Sequence, residues 1–184
     1  METSNSYCNF AYNQKEDNIH KLYHDTQYGF PIHSDNELFG RLILEINQAG
    51  LSWDIILKKQ ENFRTAYSNF DIKSVANYNQ TDINRLLNNT GIIRNKLKIN
   101  AAIHNASVII KIKQEMGSFQ LWLDHHHPKT KDQWVKLFKK TFKFTGGEIT
   151  GEFLMSTGYL EGAHHKNCPI FSKVLKNNPT WYSN

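Results

Sequence analysis

The sequence predicts an all-α fold. Three observations carry that expectation. Apolar residues recur at helical spacing in the long segments, glycines fall where those segments must turn, and no alternating apolar–polar run of useful length is present. The segment "SDNELFGRLILEINQAG" (34–50) opens with Ser34 and has Glu37 three residues on, the pattern of a capping box. Leu38, Leu42 and Ile46, with Phe39 and Ile43, then keep a 3.6-residue period, and Gly50 stops the helix. A second helix is expected from about Trp53 to Tyr67, and a short one from Asp71 in "DIKSVANYN". Two more, broken at Gly91, fill "TDINRLLNNTGIIRNKLKINAAIHNASVIIKIKQEMG". Short helices near "SFQLWL", in "DQWVKLFKKTF" and in "EITGEFLMSTGYL" complete the set. There is no internal repeat, and His125, His126 and His127 form a run in a loop beside Pro128. The chain after Pro169 is expected to be extended and mobile.

Bulk properties bound the function. A chain of 184 residues can bury one core or two closely joined lobes. At 39% hydrophobic it is ordinary for a soluble globular protein, and no apolar run approaches a membrane span. The start, "METSNSYCNFAYNQKED", has no basic opening and no apolar core, so a cytoplasmic location is expected. In that reducing compartment Cys8 and Cys168 are not expected to form a structural disulfide. A net charge of +5 permits a polyanionic partner without requiring one.

Three features bear on chemistry. Glu45 falls close to Leu38, Leu42 and Ala49 on a helical projection, at the edge of the apolar stripe, with Trp53 just past the break. It reads either as an edge glutamate paired with a nearby Lys or Arg, or as a partly buried carboxylate whose desolvation a charged or hydrogen-bonding ligand offsets. The second feature, "LLNNTGIIRNKLKI" (86–99), is a helix, a tight hairpin and a helix carrying Arg94, Lys96 and Lys98. Gly91 allows positive φ and close backbone approach, and the first N–H groups of the second helix favour an anion. The alternative is an ordinary helical turn; the cations just past it favour a phosphate site in the helix-hairpin-helix manner of DNA-binding proteins. Third, His164 and Cys168 are four apart near one terminus, and Cys8 and His24 lie near the other. Two Cys and two His make a tetrahedral zinc set. Two inert cysteines among nine histidines are the alternative.

Taken together these residues resemble the 3-methyladenine DNA glycosylase I (Tag-type) family of the helix-hairpin-helix glycosylase superfamily. "YHDTQYGFPIHSDNELF" (23–39) is similar to that family's Tyr-His-Asp segment and the helix after it. "LEINQAGLSWDIILKKQENFR" (44–64) resembles its Glu and Gln-Ala-Gly-Leu-Ser-Trp signature closely. "GIIRNKLKI" (91–99), "FKFTG" (142–146) and the His-x3-Cys at 164–168 complete a likeness running from about Cys8 to Cys168.

The resemblance implies a two-lobed helix-hairpin-helix glycosylase fold whose termini are stapled by one structural Zn2+ held by Cys8, His24, His164 and Cys168. One lobe spans about 34–124 with the hairpin at 86–99. The other is formed by about 1–33 and 125–168. It implies a monofunctional enzyme of base excision repair that flips and hydrolytically excises 3-methyladenine from alkylated double-stranded DNA, working as a monomer. Glu45 is then the carboxylate on the damaged base, with Tyr23, Trp53, Phe10 and Tyr28 as aromatic residues around it. The Gln48-Ala49-Gly50-Leu51 turn is implied to press into the gap left by the flipped base. Asn89, Thr90, Gly91 and Ile92, with Arg94, Lys96 and Lys98, are implied to meet the phosphates. The chain departs from the pattern at Phe10 and Tyr28, where the family usually has tryptophan. It departs again in "TGGEITGEFLM" (145–155), where Glu148, Gly151 and Glu152 replace mostly Thr, Tyr and Ser. Those changes keep two other readings open: a shifted lesion preference, or a DNA-binding member without catalysis.

Overall fold

A computed structural model describes residues 6–182. Its elements are α1 (Tyr7–Tyr12), α2 (Ile19–Thr26), α3 (Asp35–Gln48), α4 (Trp53–Lys58), α5 (Gln60–Ala66), α6 (Ile72–Ala76), α7 (Gln80–Asn88), α8 (Lys96–Met116), α9 (Phe119–His126), α10 (Lys131–Thr141), α11 (Gly147–Ser156) and α12 (Phe171–Lys176). Short 3-10 turns occupy Ser68–Phe70 and Thr180–Tyr182, and no strand occurs among the described residues. The chain divides into two compact units. One comprises the segments up to Pro31 and from Leu154 onward; the other runs from Ile32 to Phe153.

In the Ile32–Phe153 unit, α3 is the central element. It packs on α4, α5, α6, α8 and α9, and α6 lies along α8. The apolar period read from the sequence is the reason: Leu38, Phe39, Leu42, Ile43 and Ile46 are all buried, as are Phe63, Phe70, Ile99 and Phe119 on the surrounding elements. Gly40 is required by this packing, because a Cβ there would stand 2.7 Å from Cγ of Phe70. An aromatic group built from Phe119, Trp122, Phe138, Phe142 and Phe153 brings α9, α10 and Phe153 of α11 into the same core, with ring centroids 5.3–6.3 Å apart. Residues 125–153 therefore pack in this unit, whereas the sequence reading put them with the termini.

Several local expectations change. Ser34 caps α3 through the Glu37 amide, but the Glu37 carboxylate does not close the box; it takes two bonds from Arg64 at 2.8 and 2.7 Å. The helix expected over 53–67 is two helices, because Lys59 leaves helical geometry with ψ near 3°. His125 and His126 belong to the last turn of α9 rather than to a loop. α1 and α2, too short to show a period, are set by side-chain caps from Ser6 and Asn18. The segment after Pro169 is not extended. Val174 of α12 is buried with Ile170, Cys8 and Cys168, and the Trp181 amide donates to the Gly158 carbonyl at 3.1 Å.

Candidate functional site

Cys8 on α1, His24 on α2, and His164 and Cys168 on the segment before α12 come together in the terminal unit. All four are buried, and one ligand-type atom from each lies within 4.8 Å of the others. The spacings can be tested against a metal. Zn–S near 2.3 Å and Zn–N near 2.05 Å at a tetrahedral angle require S···N edges of about 3.55 Å and an N···N edge of about 3.3 Å. Here Cys8 Sγ is 3.7 Å from His164 Nδ1, and Cys168 Sγ is 3.5 Å from the same nitrogen and 3.6 Å from His24 Nε2. The two nitrogens are 3.2 Å apart. The outer nitrogens are held as metal-bound histidines require. His24 Nδ1 meets the Asp25 carboxylate at 2.6 Å, and His164 Nε2 meets the Tyr28 carbonyl at 2.7 Å. Burial pushes the Cys8 thiol up to about 11, helped by the Cys168 thiol beside it, and drives His164 down to about 4. A divalent cation reverses that cost by replacing thiol protons. The donor set, spacings and outer contacts fit a four-coordinate metal-binding group.

Glu45 lies inside the Ile32–Phe153 unit at 4% exposure, not at the edge of the stripe. Arg41, one turn earlier on the same helix face, is buried too. α3 ends one turn after Glu45. Ala49 is its cap, and Gly50 takes φ +82, which is the reason for glycine there, since a Cβ would meet nothing within 4 Å. The Leu51 amide donates to the Gln48 carbonyl at 2.7 Å, and Gln48 Nε2 donates to the Leu51 carbonyl at 3.0 Å. Gln48–Leu51 is therefore a closed turn with an exposed tip at Gly50. Trp53 follows as the first residue of α4 and is half-buried.

A turn over residues 89–95 joins α7 to α8, and it departs from the sequence reading in two respects. Gly91 does not take positive φ; it is needed for close approach, since a Cβ would stand 3.0 Å from Asn89 Oδ1 and 3.2 Å from Asn62 Cβ. Its amide already donates to Asn89 Oδ1 at 2.8 Å, and the Leu97 and Lys98 amides that open α8 donate to Asn95 Oδ1. Those amides have acceptors, so the outward cations of this region are Arg94 and Lys96. Ile92 is a core residue and Thr90 is exposed. Lys98 is a second departure from expectation. It is buried, and its ammonium donates to the Asn47 and Ala49 carbonyls at 2.9 and 2.8 Å.

In the terminal unit, Tyr23 is buried, and Tyr28 lies beside the metal-binding group with its ring 5.6 Å from that of His164. Phe10 is half exposed, stacked 6.1 Å from Tyr7. Tyr7 escaped the sequence reading, although it touches Phe10, His20, Tyr23, His24 and Tyr28. Asp25 also escaped it, and its position directly after His24 was the available signal. Glu148 points to Lys131 on α10 at 3.4 Å, on the surface, and Gly151 leaves room for that lysine's chain, whose Cε would be 2.7 Å from a Cβ.

The methyladenine glycosylase family profile matches residues 13–135, about two-thirds of the chain. The chain is 34% identical to DNA-3-methyladenine glycosylase 1 of Escherichia coli (strain K12) over 162 residues, covering 78% of this chain and 87% of that one. It is 32% identical to DNA-3-methyladenine glycosylase of Haemophilus influenzae (strain ATCC 51907 / DSM 11121 / KW20 / Rd) over 173 residues, 84% of this chain and 93% of that one. Among solved structures, 3-methyladenine DNA glycosylase I from Staphylococcus aureus, determined for its recognition of 3-methyladenine, superposes with a TM-score of 0.77 at 34% identity, covering 87% of this chain and 94% of that one. With motifs, helical fold and matched length in agreement, the chain belongs to the methyladenine glycosylase family.

Proposed function

We propose that the chain is a DNA-3-methyladenine glycosylase that hydrolyses the bond between 3-methyladenine and deoxyribose in alkylated DNA. The observation that carries this reading is the carboxylate of Glu45, held at 4% exposure one turn before the Gly50 break, in a chain 34% identical to a protein of that activity. N3-methyladenine is cationic, so its glycosidic bond is already weak. A flipped cationic base gains from a desolvated carboxylate and from aromatic faces, which bind it as the duplex releases it. Water then completes hydrolysis. Glu45 is assigned to the charge of the base, Trp53 and Tyr23 to its ring, and Phe10 and Tyr28 to further aromatic support.

Duplex DNA is the proposed partner of the Gln48–Leu51 turn and of the hairpin. The turn fills the gap left by the extruded base; Thr90, Arg94 and Lys96 meet phosphates without reading sequence. A monofunctional reaction fits the buried Lys98, whose ammonium is engaged by two carbonyls and is not poised as a nucleophile. Zn2+ is the metal we assign to Cys8, His24, His164 and Cys168, on donor type and tetrahedral spacing. Four protein donors leave no position for water, so the ion contributes structure rather than hydrolysis. No helix among the described residues is long and apolar enough to cross a membrane. We assign the protein to the cytoplasm, acting as a monomer.

Incubation with methylated duplex and chromatography of the released bases tests the reading. Free 3-methyladenine supports it. Release of another base instead points to a shifted lesion preference, the reading favoured by the Glu148, Gly151 and Glu152 departures. Release of none, by folded and metal-loaded protein, refutes it.

A further inference from the structure

Lys98 is buried at 5% exposure, and an ammonium is kept inside a protein only where acceptors replace its water. It has two. The carbonyls of Asn47 and Ala49, at 2.9 and 2.8 Å, belong to the last turn of α3, where a helix leaves its acceptors unmatched and its dipole is negative. The third side of the ammonium faces the ring of Phe144, 5.9 Å from the centroid. Phe144 itself is 40% exposed with φ 62, a left-handed conformation uncommon for a bulky residue. These contacts converge on the base of one turn. Above it, Gln48 Nε2 and the Leu51 amide close the Gln48–Leu51 segment on itself, and Gly50 reverses the chain with φ +82. Below it, Lys98 is the side-chain donor that ties the segment to α8, 47 residues further along than Leu51.

We propose that Lys98 is a positioning residue: by holding the Asn47 and Ala49 carbonyls it fixes the Gln48–Leu51 turn in the shape that fills the gap beside an extruded base. The role rests on that turn being the element that enters the duplex. A phosphate contact, which the sequence suggests for a lysine two residues from Lys96, is a poor use of this group, because its donors are already directed inward. The residue acts through the turn and touches neither base nor phosphate.

The test compares Lys98→Met, which keeps the length of the side chain and removes the donor, with the unaltered protein. Three probes are used: a duplex containing a tetrahydrofuran abasic analogue, the same duplex intact, and free 3-methyladenine. The preference for the abasic duplex over the intact one should fall about ten-fold, the equivalent of one charge-assisted hydrogen bond. Affinity for the intact duplex and its salt dependence should stay within about two-fold, because no phosphate contact is lost. Binding of free 3-methyladenine should be unchanged. Equal loss on both duplexes with a flatter salt dependence would overturn the proposal in favour of a phosphate contact. An unchanged preference in a folded variant would overturn it outright. Absence of any preference in the unaltered protein would remove the wedge and this role with it, while excision of 3-methyladenine by that same protein reports separately on the enzyme reading.

A second measurement needs no variant. Labelling of the native protein with an amine-reactive ester, read by mass spectrometry, should modify Lys96 less when duplex is bound and leave Lys98 unmodified with or without duplex. Labelling of Lys98 that duplex suppresses would refute the positioning role even if Lys98→Met does not fold.

Discussion

Removing the metal should loosen the terminal unit and leave the helical core of the other. The buried nitrogens of His24 and His164 are already 3.2 Å apart, and the sulfur-to-nitrogen edges are 3.5–3.7 Å, so binding requires little rearrangement. Free metal at a hundred times its dissociation constant then stabilises the folded chain by about 2.7 kcal/mol. Unfolding entropy of about 2.1 cal/mol/K per residue over the chain gives about 0.39 kcal/mol/K, so the melting temperature should rise by about 7 °C if the chain melts in one transition. If the terminal unit melts alone, the same free energy acts on fewer residues and the shift is larger. The assay is calorimetry with and without a strong chelator, beside elemental analysis of protein purified without added metal, with one zinc per chain expected. Amide exchange should accelerate in α1, α2 and the segment from His164 to Cys168, and stay slow in α3 and α8. Stripped protein with the same melting temperature and the same exchange pattern would refute a structural metal.

Three further outcomes follow from named contacts. Glu45→Gln keeps the size of the side chain and removes the charge; at roughly 1.5–3 kcal/mol for a buried charge-assisted bond, single-turnover release of 3-methyladenine should fall about ten- to a hundred-fold with duplex binding retained. Near-normal release with a lowered melting point would instead make Glu45 a structural residue of α3. Glu37 is held below its ordinary carboxylate value chiefly by the two Arg64 bonds, so its contribution to stability is present above the ordinary range near 4.5 and is lost as pH falls through the depressed folded value. With both partners part-exposed, Glu37→Gln should cost about 0.5–1 kcal/mol at pH 7 and much less at pH 3, read from urea midpoints; an equal gap at both pH values would count against the pair. Gly40→Ala gains helix propensity of about 1 kcal/mol but drives a methyl against Phe70, and overpacking of about 1–3 kcal/mol should win as a lowered melting temperature.

The helices with a long apolar period were legible because their burial pattern is written at i, i+3 and i+4. α3 is the clear case, with its Gly50 stop and Ser34 cap. The four residues of the candidate metal site were legible as a chemical set, although spacing alone left their pairing open, since the partners lie as far apart as Cys8 and Cys168. α1, α2 and α12 were not legible. Each is eight residues or fewer, held by a cap or by a few buried side chains, and its existence depends on what it packs against rather than on its own period. The placement of 125–153 failed for a related reason. The rings of Trp122, Phe138 and Phe153 find one another through tertiary packing that no local pattern announces.

The lysines mark the limit most sharply. A sequence presents each as a surface cation, and a cluster past a hairpin reads as a phosphate site. Yet Lys59 and Lys98 spend their donors on the protein's own backbone. Lys59 Nζ takes the Thr90 and Gly91 carbonyls at 3.0 and 3.2 Å, and Lys98 takes those of Asn47 and Ala49. Both hold the two exposed turns to which DNA contact is assigned. The acceptors lie 31 to 51 residues away in sequence, which is why spacing could not reveal them. The consequence is a division of labour among cations. On the proposed reading, those bound to carbonyls hold the turns in shape, while exposed Arg94 and Lys96 are left to meet the charge of a partner. Affinity for undamaged duplex and selectivity for a gapped one should therefore respond to different residues, and a charge count that treats all lysines alike would miss the separation.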